Sequence, residues 1–163
     1  MADCVHLFSS ALGWMAIVER HDRLCRLTFG HATAADTLLA VGAAATGGPQ
    51  SDLVERLQAY ADGAADPFQD VAVELAGWTR FGRDVLAQCR RIPWGTTITY
   101  GTLAARCGRP RAARAAGRVL AANPIPLIIP CHRVVAAGGS LGGYSALGGV
   151  AMKRRLLRLE MKK

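Results

Sequence analysis

The stretch from Asn123 to Pro130 constrains this chain more than any other. Ile125 to Ile129 is an apolar run that contains Pro126 and is flanked by Pro124 and Pro130. Proline fixes φ and lacks a backbone N–H, so these residues cannot form a helix interior or a central strand. Their apolar character still asks for burial, and the expectation is a buried extended segment. That segment runs directly into Pro130-Cys131-His132-Arg133-Val134, bringing a thiol, an imidazole and a guanidinium to the edge of a core in successive positions.

Charge divides the chain near Trp78. Residues 1–78 carry four Arg, no Lys and ten acids, a net of −6, whereas residues 79–163 carry thirteen Arg and three Lys against Asp84 and Glu160, a net of +14; together they give +8. An arginine-rich solvated surface would not by itself empty the second half of acids. The asymmetry points to a polyanionic partner, nucleic acid first. The 163 residues suffice for one ordinary domain or two small lobes sharing a core. No stretch approaches the roughly 18 uncharged apolar residues that cross a bilayer, and a start containing Asp3 and His6 lacks the order of a signal peptide. A cytoplasmic protein with no membrane partner is expected. Cys4, Cys25, Cys89, Cys107 and Cys131 form no CxxC pair, which favours reduced thiols over a disulfide framework.

In the front half, Trp14 to Val18 and Leu24 to Phe29 have the patterning of paired strands, residues 33–44 and 52–60 that of helices, and Val71 to Leu75 that of a further strand. In the back half, Thr79 is a candidate N-cap for a helix to about Arg91, and Thr99 for a short helix from Tyr100 to Cys107. Pro110 suits the first turn of a third helix running to about Ala122. Two short helices joined across Gly108 outline a helix-turn-helix. The third helix is nearly all alanine between arginines, with Arg111, Arg114 and Arg118 spaced to share one face. It would serve either as a close-approaching anion-binding helix or as a core helix with a solvated arginine stripe. A glycine-rich loop from Gly138 to Ser145 precedes a last helix, about Leu147 to Glu160.

Cys131 is the candidate nucleophile, because only it has a histidine and an arginine as immediate successors. A free thiol with a pKa of roughly 8.5 is mostly protonated at neutral pH, and lowering it by about two units would make about three quarters thiolate. An imidazole accepting the proton within a cationic surround would supply such a shift. Adjacent residues on an extended segment face opposite ways, so His132 needs a turn or a bridging water to reach the thiol. Glu160 is a candidate to orient His132 or to anchor a salt bridge.

The Pro130–Val134 motif, preceded by Asn123-Pro124-Ile125-Pro126 and the helix-turn-helix, resembles the active-site segment of the O6-alkylguanine-DNA alkyltransferases, the methylated-DNA–protein-cysteine methyltransferases. The similarity covers about residues 78–160; the front lobe matches only in size and coarse strand order. The resemblance implies an α+β chain, with a small ribonuclease H-like α/β lobe over 1–78 and a helical lobe with a winged-helix-like helix-turn-helix over 79–163. It implies irreversible transfer of the alkyl group from O6-alkylguanine in double-stranded DNA to Cys131, one turnover per molecule, by a monomer. O4-methylthymine is a further substrate to test. The implied catalytic residues are Cys131 as acceptor, His132 as base through water, Glu160 as its orienter, Tyr100 as donor to the leaving guanine, and Asn123 as brace of the turn. The implied DNA contacts are Arg114, filling the gap left by an extruded nucleotide, with Arg111, Arg118, Thr99, Ala115 and Ala116. Tyr100, Val134, Tyr144 and Ser145 would form the base pocket.

No cofactor is implied, since the protein is the acceptor. Some members hold a structural zinc in the front lobe; Cys4 and Cys25 match two ligand positions, but His6, His21 and His31 are scattered, so no metal is expected. Two features depart from the family pattern: a slightly longer stretch between Tyr144 and Lys153, and Ala146-Leu147 where a glycine pair usually follows Ser145. Both bear on pocket shape. The alternative is a non-catalytic helix-turn-helix protein that binds DNA or senses alkylation damage. A cysteine hydrolase would instead turn over repeatedly without DNA.

Overall fold

The computed structural model of the chain describes residues 3–43 and 46–162. The chain is mixed α and β and divides into two compact units, Met1–Glu74 and Leu75–Lys163.

The first unit is built on an antiparallel meander of β1 (Cys4–Ser10), β2 (Gly13–Arg20) and β3 (Arg23–His31). The β2–β3 turn places His21 at φ 50° and Asp22 at φ 60°, the paired left-handed conformation that matches strand twist in a tight hairpin. β2 is the central strand, and Met15, Ala16 and Ile17 are fully buried on it. β1 was not anticipated: its buried positions, Val5 and Phe8, lie three apart and break the two-residue period.

Helix α1 (Ala34–Val41) starts at Thr33, whose hydroxyl accepts from the Asp36 amide, and stops at Gly42 in the left-handed region at φ 69°. This is short of the expected end at residue 44, which lies outside the described residues. Helix α2 (Asp52–Ala61) turns Leu53, Leu57 and Tyr60 into the core. The strand expected at Val71 to Leu75 is a single parallel bridge, Leu24 to Val73, in which the Leu24 amide donates to Ala72 O at 2.8 Å and the Glu74 amide to Leu24 O at 2.9 Å.

In the second unit, α3 (Arg80–Arg90) begins at Thr79, whose hydroxyl accepts from Gly82 N, and buries Val85, Leu86 and Cys89. Two-residue β4 (Ile98–Thr99) ends in Thr99, which caps α4 (Tyr100–Arg106) by accepting from Thr102 N at 3.1 Å. Helix α5 (Ala113–Ala121) starts three residues later than Pro110 suggested. The Ala112 amide donates to Arg109 O at 2.9 Å, so residues 109–112 form a separate turn. Arg111 therefore lies in that turn and not on the helical face of Arg114 and Arg118. α5 packs on α3 and α4 through Ala116, fully buried, and Leu120.

The proline-bounded run is buried as expected but not extended. It folds back on itself: the Ile129 amide donates to Ile125 O at 3.0 Å, Pro126 bridges to Ile129, and Leu127 sits at φ 73°. A leucine in that left-handed conformation is strained and persists only because its surroundings over-determine it. The chain then makes a 3₁₀ turn over Cys131–Arg133 and enters β5 (Val134–Val135), parallel to β4. Helix α6 (Gly149–Met161) starts two residues after Leu147, because Gly148 at φ 87° is not helical.

Candidate active site

Local hydrogen bonding holds the segment around Cys131 together. Asn123, at the end of α5, works both ends of its amide: Nδ2 donates to Ile129 O at 2.9 Å, while Oδ1 accepts from the Ile125 amide at 3.0 Å. Those two bonds clamp the folded-back turn. The same side chain draws the Cys131 thiol pKa down.

The 3₁₀ turn over Cys131–Arg133 replaces the extended conformation in which neighbours face apart. His132 and Arg133 both reach Glu160 on α6, and all three side chains are buried. His132 Nε2 lies 2.7 Å from Glu160 Oε1, and Arg133 donates through Nε to Oε2 at 2.9 Å and through a terminal nitrogen to Oε1 at 2.8 Å. The other guanidinium terminus donates to Ile92 O at 2.6 Å, tying the turn to the end of α3.

Burial alone would raise the Glu160 carboxyl, but the hydrogen bonds and charges of His132 and Arg133 overcome it and hold the pKa at about 2. Glu160 is therefore a carboxylate at neutral pH. Burial lowers His132, with only partial compensation from Glu160, so the imidazole is neutral. Facing a carboxylate, its Nε2 is the protonated nitrogen that donates, which leaves the basic lone pair on Nδ1. The Cys131 thiol is not depressed as expected: burial pushes it up, against the pull of the Asn123 hydrogen bond and the Lys153 charge. A resting thiol beside a neutral base replaces the anticipated thiolate.

Cys131 opens onto a cavity of about 440 Å³ lined also by Tyr100, Gly117, Leu120, Ala121, Gly143, Tyr144 and Ser145. Small residues keep it open on the α5 side. Val134, expected in the pocket, is fully buried and not part of that wall; its carbonyl accepts from Lys153 instead. Burial raises the Tyr100 phenol, with the Cys131 and Cys89 thiols adding to the effect, so it is a hydroxyl donor at neutral pH.

On α5, Arg114 and Arg118 are exposed and one turn apart, and Ala115 is partly exposed. Ala116 faces the core at 0 % exposure, which removes it from the contact surface. Arg111 is exposed in the preceding turn, and Thr99 spends its hydroxyl on the α4 cap and on Thr102. Among the described residues no three His, Cys, Asp or Glu side chains gather as a metal site would require, and no helix is long and apolar enough to cross a membrane.

Two residues of this site were not anticipated as parts of it. Arg133 was named in the motif without a role, although a single acid beside two adjacent basic candidates invited a three-way network. Lys153 is fully buried, with its ammonium donating to backbone carbonyls. Helical spacing carried a signal here, because Lys153, Leu156 and Glu160 share one stripe of α6 with the buried Leu156 at its centre.

Residues 80–162 match the family model described as the DNA binding domain of 6-O-methylguanine DNA methyltransferase. The methylated-DNA–protein-cysteine methyltransferase of Methanothermobacter thermautotrophicus is 42% identical over 108 residues, 66% of this chain and 59% of that protein. The one from Mycobacterium tuberculosis is 45% identical over 113 residues, 69% of this chain and 66% of that protein. The matched stretch thus spans less than two thirds of these relatives' own lengths. Among solved structures, M. tuberculosis O6-methylguanine methyltransferase superposes with a TM-score of 0.79 at 34% identity, covering 98% of this chain and 93% of that one. The M. tuberculosis OGT in complex with DNA gives 0.76 at 33% identity, covering 96% and 92%. By the match of residues 80–162 to the family model and by these relatives, the chain belongs to the O6-methylguanine DNA methyltransferase family.

Proposed function

We propose that this chain repairs alkylated DNA by moving the alkyl group of O6-alkylguanine from the duplex onto Cys131, irreversibly and once per molecule. The observation that carries this reading is a buried thiol at the wall of an apolar cavity, next to a neutral imidazole oriented by an ionised carboxylate. A cavity of about 440 Å³ lies within the size range of small-ligand pockets and suits one extruded base. Its apolar lining suits an alkyl group and a base stripped of water.

The neutral His132 takes the thiol proton through a water molecule, and Glu160 stabilises the imidazolium that forms. The sulfur attacks the alkyl carbon in line with the C–O6 bond. A C–S bond forms, the C–O6 bond breaks, and its electron pair passes to the purine. Tyr100 donates a hydrogen bond to the departing guanine, and the proton released from the thiol ends on the base, which leaves neutral. The product is a thioether with no leaving group for water to displace, so the acceptor is not regenerated. A hydrolase at this site would require an intermediate that water can open.

Access follows from α5. An extruded nucleotide costs a few kcal/mol of unstacking, less when the pair is damaged, and an inserted Arg114 offsets part of it. The alanines between the arginines let the helix approach a narrow groove, with Arg118 and Arg111 available for phosphates. We further read the first unit as ribonuclease H-like, the second as winged-helix-like, and the protein as a cytoplasmic monomer acting on double-stranded DNA. Duplex DNA carrying a labelled O6-methyl group tests the proposal: label on Cys131 of the wild type and none on Cys131→Ala supports it. Damaged DNA bound but left unchanged would favour a sensor instead.

A further inference from the structure

Lys153 is a cation buried to 0 % exposure with no acid among its hydrogen-bond partners. Its ammonium donates to three backbone carbonyls, Val134 O at 2.7 Å, Leu141 O, and Gly143 O at 3.1 Å. Those acceptors lie at the two ends of the loop that leads from the acceptor turn to the cavity wall. Leu141 and Gly143 also flank Gly142, which packs against the Tyr100 ring. A Cβ at Gly142 would stand 3.1 Å from Tyr100 Cε2 and 3.2 Å from its hydroxyl oxygen, and Gly142 has φ 70°. The Lys153 nitrogen itself lies 5.7 Å from the Tyr100 ring centroid, within cation–π range.

Burying an ammonium carries a desolvation penalty that apolar packing of the loop would avoid. What the ammonium adds is direction. Its three protons match three convergent carbonyls, so the loop is fixed in register against the tyrosine ring. With all three donors committed to backbone, none is left for a substrate base.

We propose that Lys153 is a positioning residue for alkyl transfer: it clamps the 134–143 loop at both ends and thereby fixes the hydroxyl of Tyr100 in the cavity. This deepens the repair reading and rests on it for the reaction, but the clamp itself is separately measurable. The groups that act on the Cys131 thiol are Lys153 from α6, Asn123 after α5, Tyr100 from α4 and Cys89 from α3. Removing the Lys153 charge therefore also alters the thiol, and the test must separate the two effects.

Lys153→Met, Tyr100→Phe and the double variant are compared with wild type in two single-turnover reactions at Cys131: transfer from a free O6-alkylguanine base, and alkylation by iodoacetamide. Iodoacetamide reads the thiol without the base, so the ratio of the two rates isolates the tyrosine side. The ratio should fall about tenfold or more in Lys153→Met, as expected for lost positioning, and fall no further when Tyr100→Phe is added. An unchanged ratio, or a double variant showing the product of the two single losses, overturns the proposal.

Amide hydrogen exchange of residues 136–145 reads the clamp without any repair activity. Protection should drop about tenfold or more in Lys153→Met, while α3 and α5 keep theirs; unchanged protection in the loop overturns the clamp. Should Lys153→Met fail to fold, Lys153→Arg serves both measurements, since a planar fork cannot meet three convergent carbonyls as an ammonium does. A wild type that transfers nothing from any O6-alkylguanine would defeat the repair reading, and hydrogen exchange would still decide the clamp.

Discussion

Glu160→Gln removes one charge from the centre of the His132–Arg133–Glu160 network while nearly preserving shape. In the native protein Glu160 is 3 % exposed and accepts from His132 and twice from Arg133, itself 4 % exposed. A glutamine cannot take both guanidinium hydrogens and the imidazole hydrogen with the same geometry, and Arg133 is left as a buried cation without a counter-charge. Two routes give the size of the loss. The shift of Glu160 from 4.5 to about 2 corresponds to about 3 kcal/mol of linked stability. Removing one partner of a buried pair typically costs about 3–5 kcal/mol.

For a chain of this size that is a drop in Tm on the order of 6–12 °C. The pH dependence is the sharper feature. The folded-state pKa lies below the unfolded one, so the contribution is complete above about pH 5 and is lost as pH falls through 4.5 toward 2. Thermal unfolding of both proteins from pH 7 to pH 3 should show a stability gap that is constant to about pH 5 and falls to less than about half by pH 3. A gap under about 1 kcal/mol at pH 7 would refute the three-bond account, that being the range of exposed pairs. A gap of equal size at pH 3 and pH 7 would refute the assignment of the charge to Glu160.

Other outcomes follow from the same geometry. Because burial lowers the His132 pKa, the base stays neutral through the ordinary imidazole range, and the transfer rate should fall with acid only below pH 6.5; a decline centred above that value contradicts a neutral His132. Asn123→Ala strands Ile129 O and the Ile125 amide, and should cost about 1–3 kcal/mol in denaturant unfolding together with slower transfer. Arg114→Ala should slow repair in duplex DNA far more than reaction with a free base, and equal losses on the two would rule out a flipping role. Arg118→Ala should weaken DNA binding without regard to sequence and reduce the slope of log affinity against log salt by about 0.9, readable by titration at several salt concentrations.

The residues that announce themselves locally were the legible ones. Thr79 and Thr99 cap where their sequence contexts suggested, because a cap is decided within one helical turn. The Cys131-His132 pair and Glu160, one of two acids in the basic half, are legible as chemistry in the sequence, whereas the contact of His132 with Glu160 is visible only as geometry. What stayed hidden depends on contacts distant in sequence. Leu127 at φ 73° is imposed by its packing and the Asn123 clamp, and no propensity for leucine foretells it. The late start of α5 reflects the Arg109–Ala112 turn, which competes with helix at positions where Pro110 would otherwise suit a first turn. Composition counts Lys153 with the other bases of the basic half, since a buried ammonium held by carbonyls leaves no charge partner in the sequence to betray it.

Intact mass of the protein after exposure to duplex DNA carrying O6-methylguanine, followed by peptide mapping, tests the central claim most directly. The expected result is a gain of one methylene per molecule, confined to the peptide containing Cys131, saturating at one equivalent of DNA and absent in Cys131→Ala. An unchanged mass with bound DNA, a methyl on another cysteine, or more than one equivalent of guanine restored per protein molecule would contradict it.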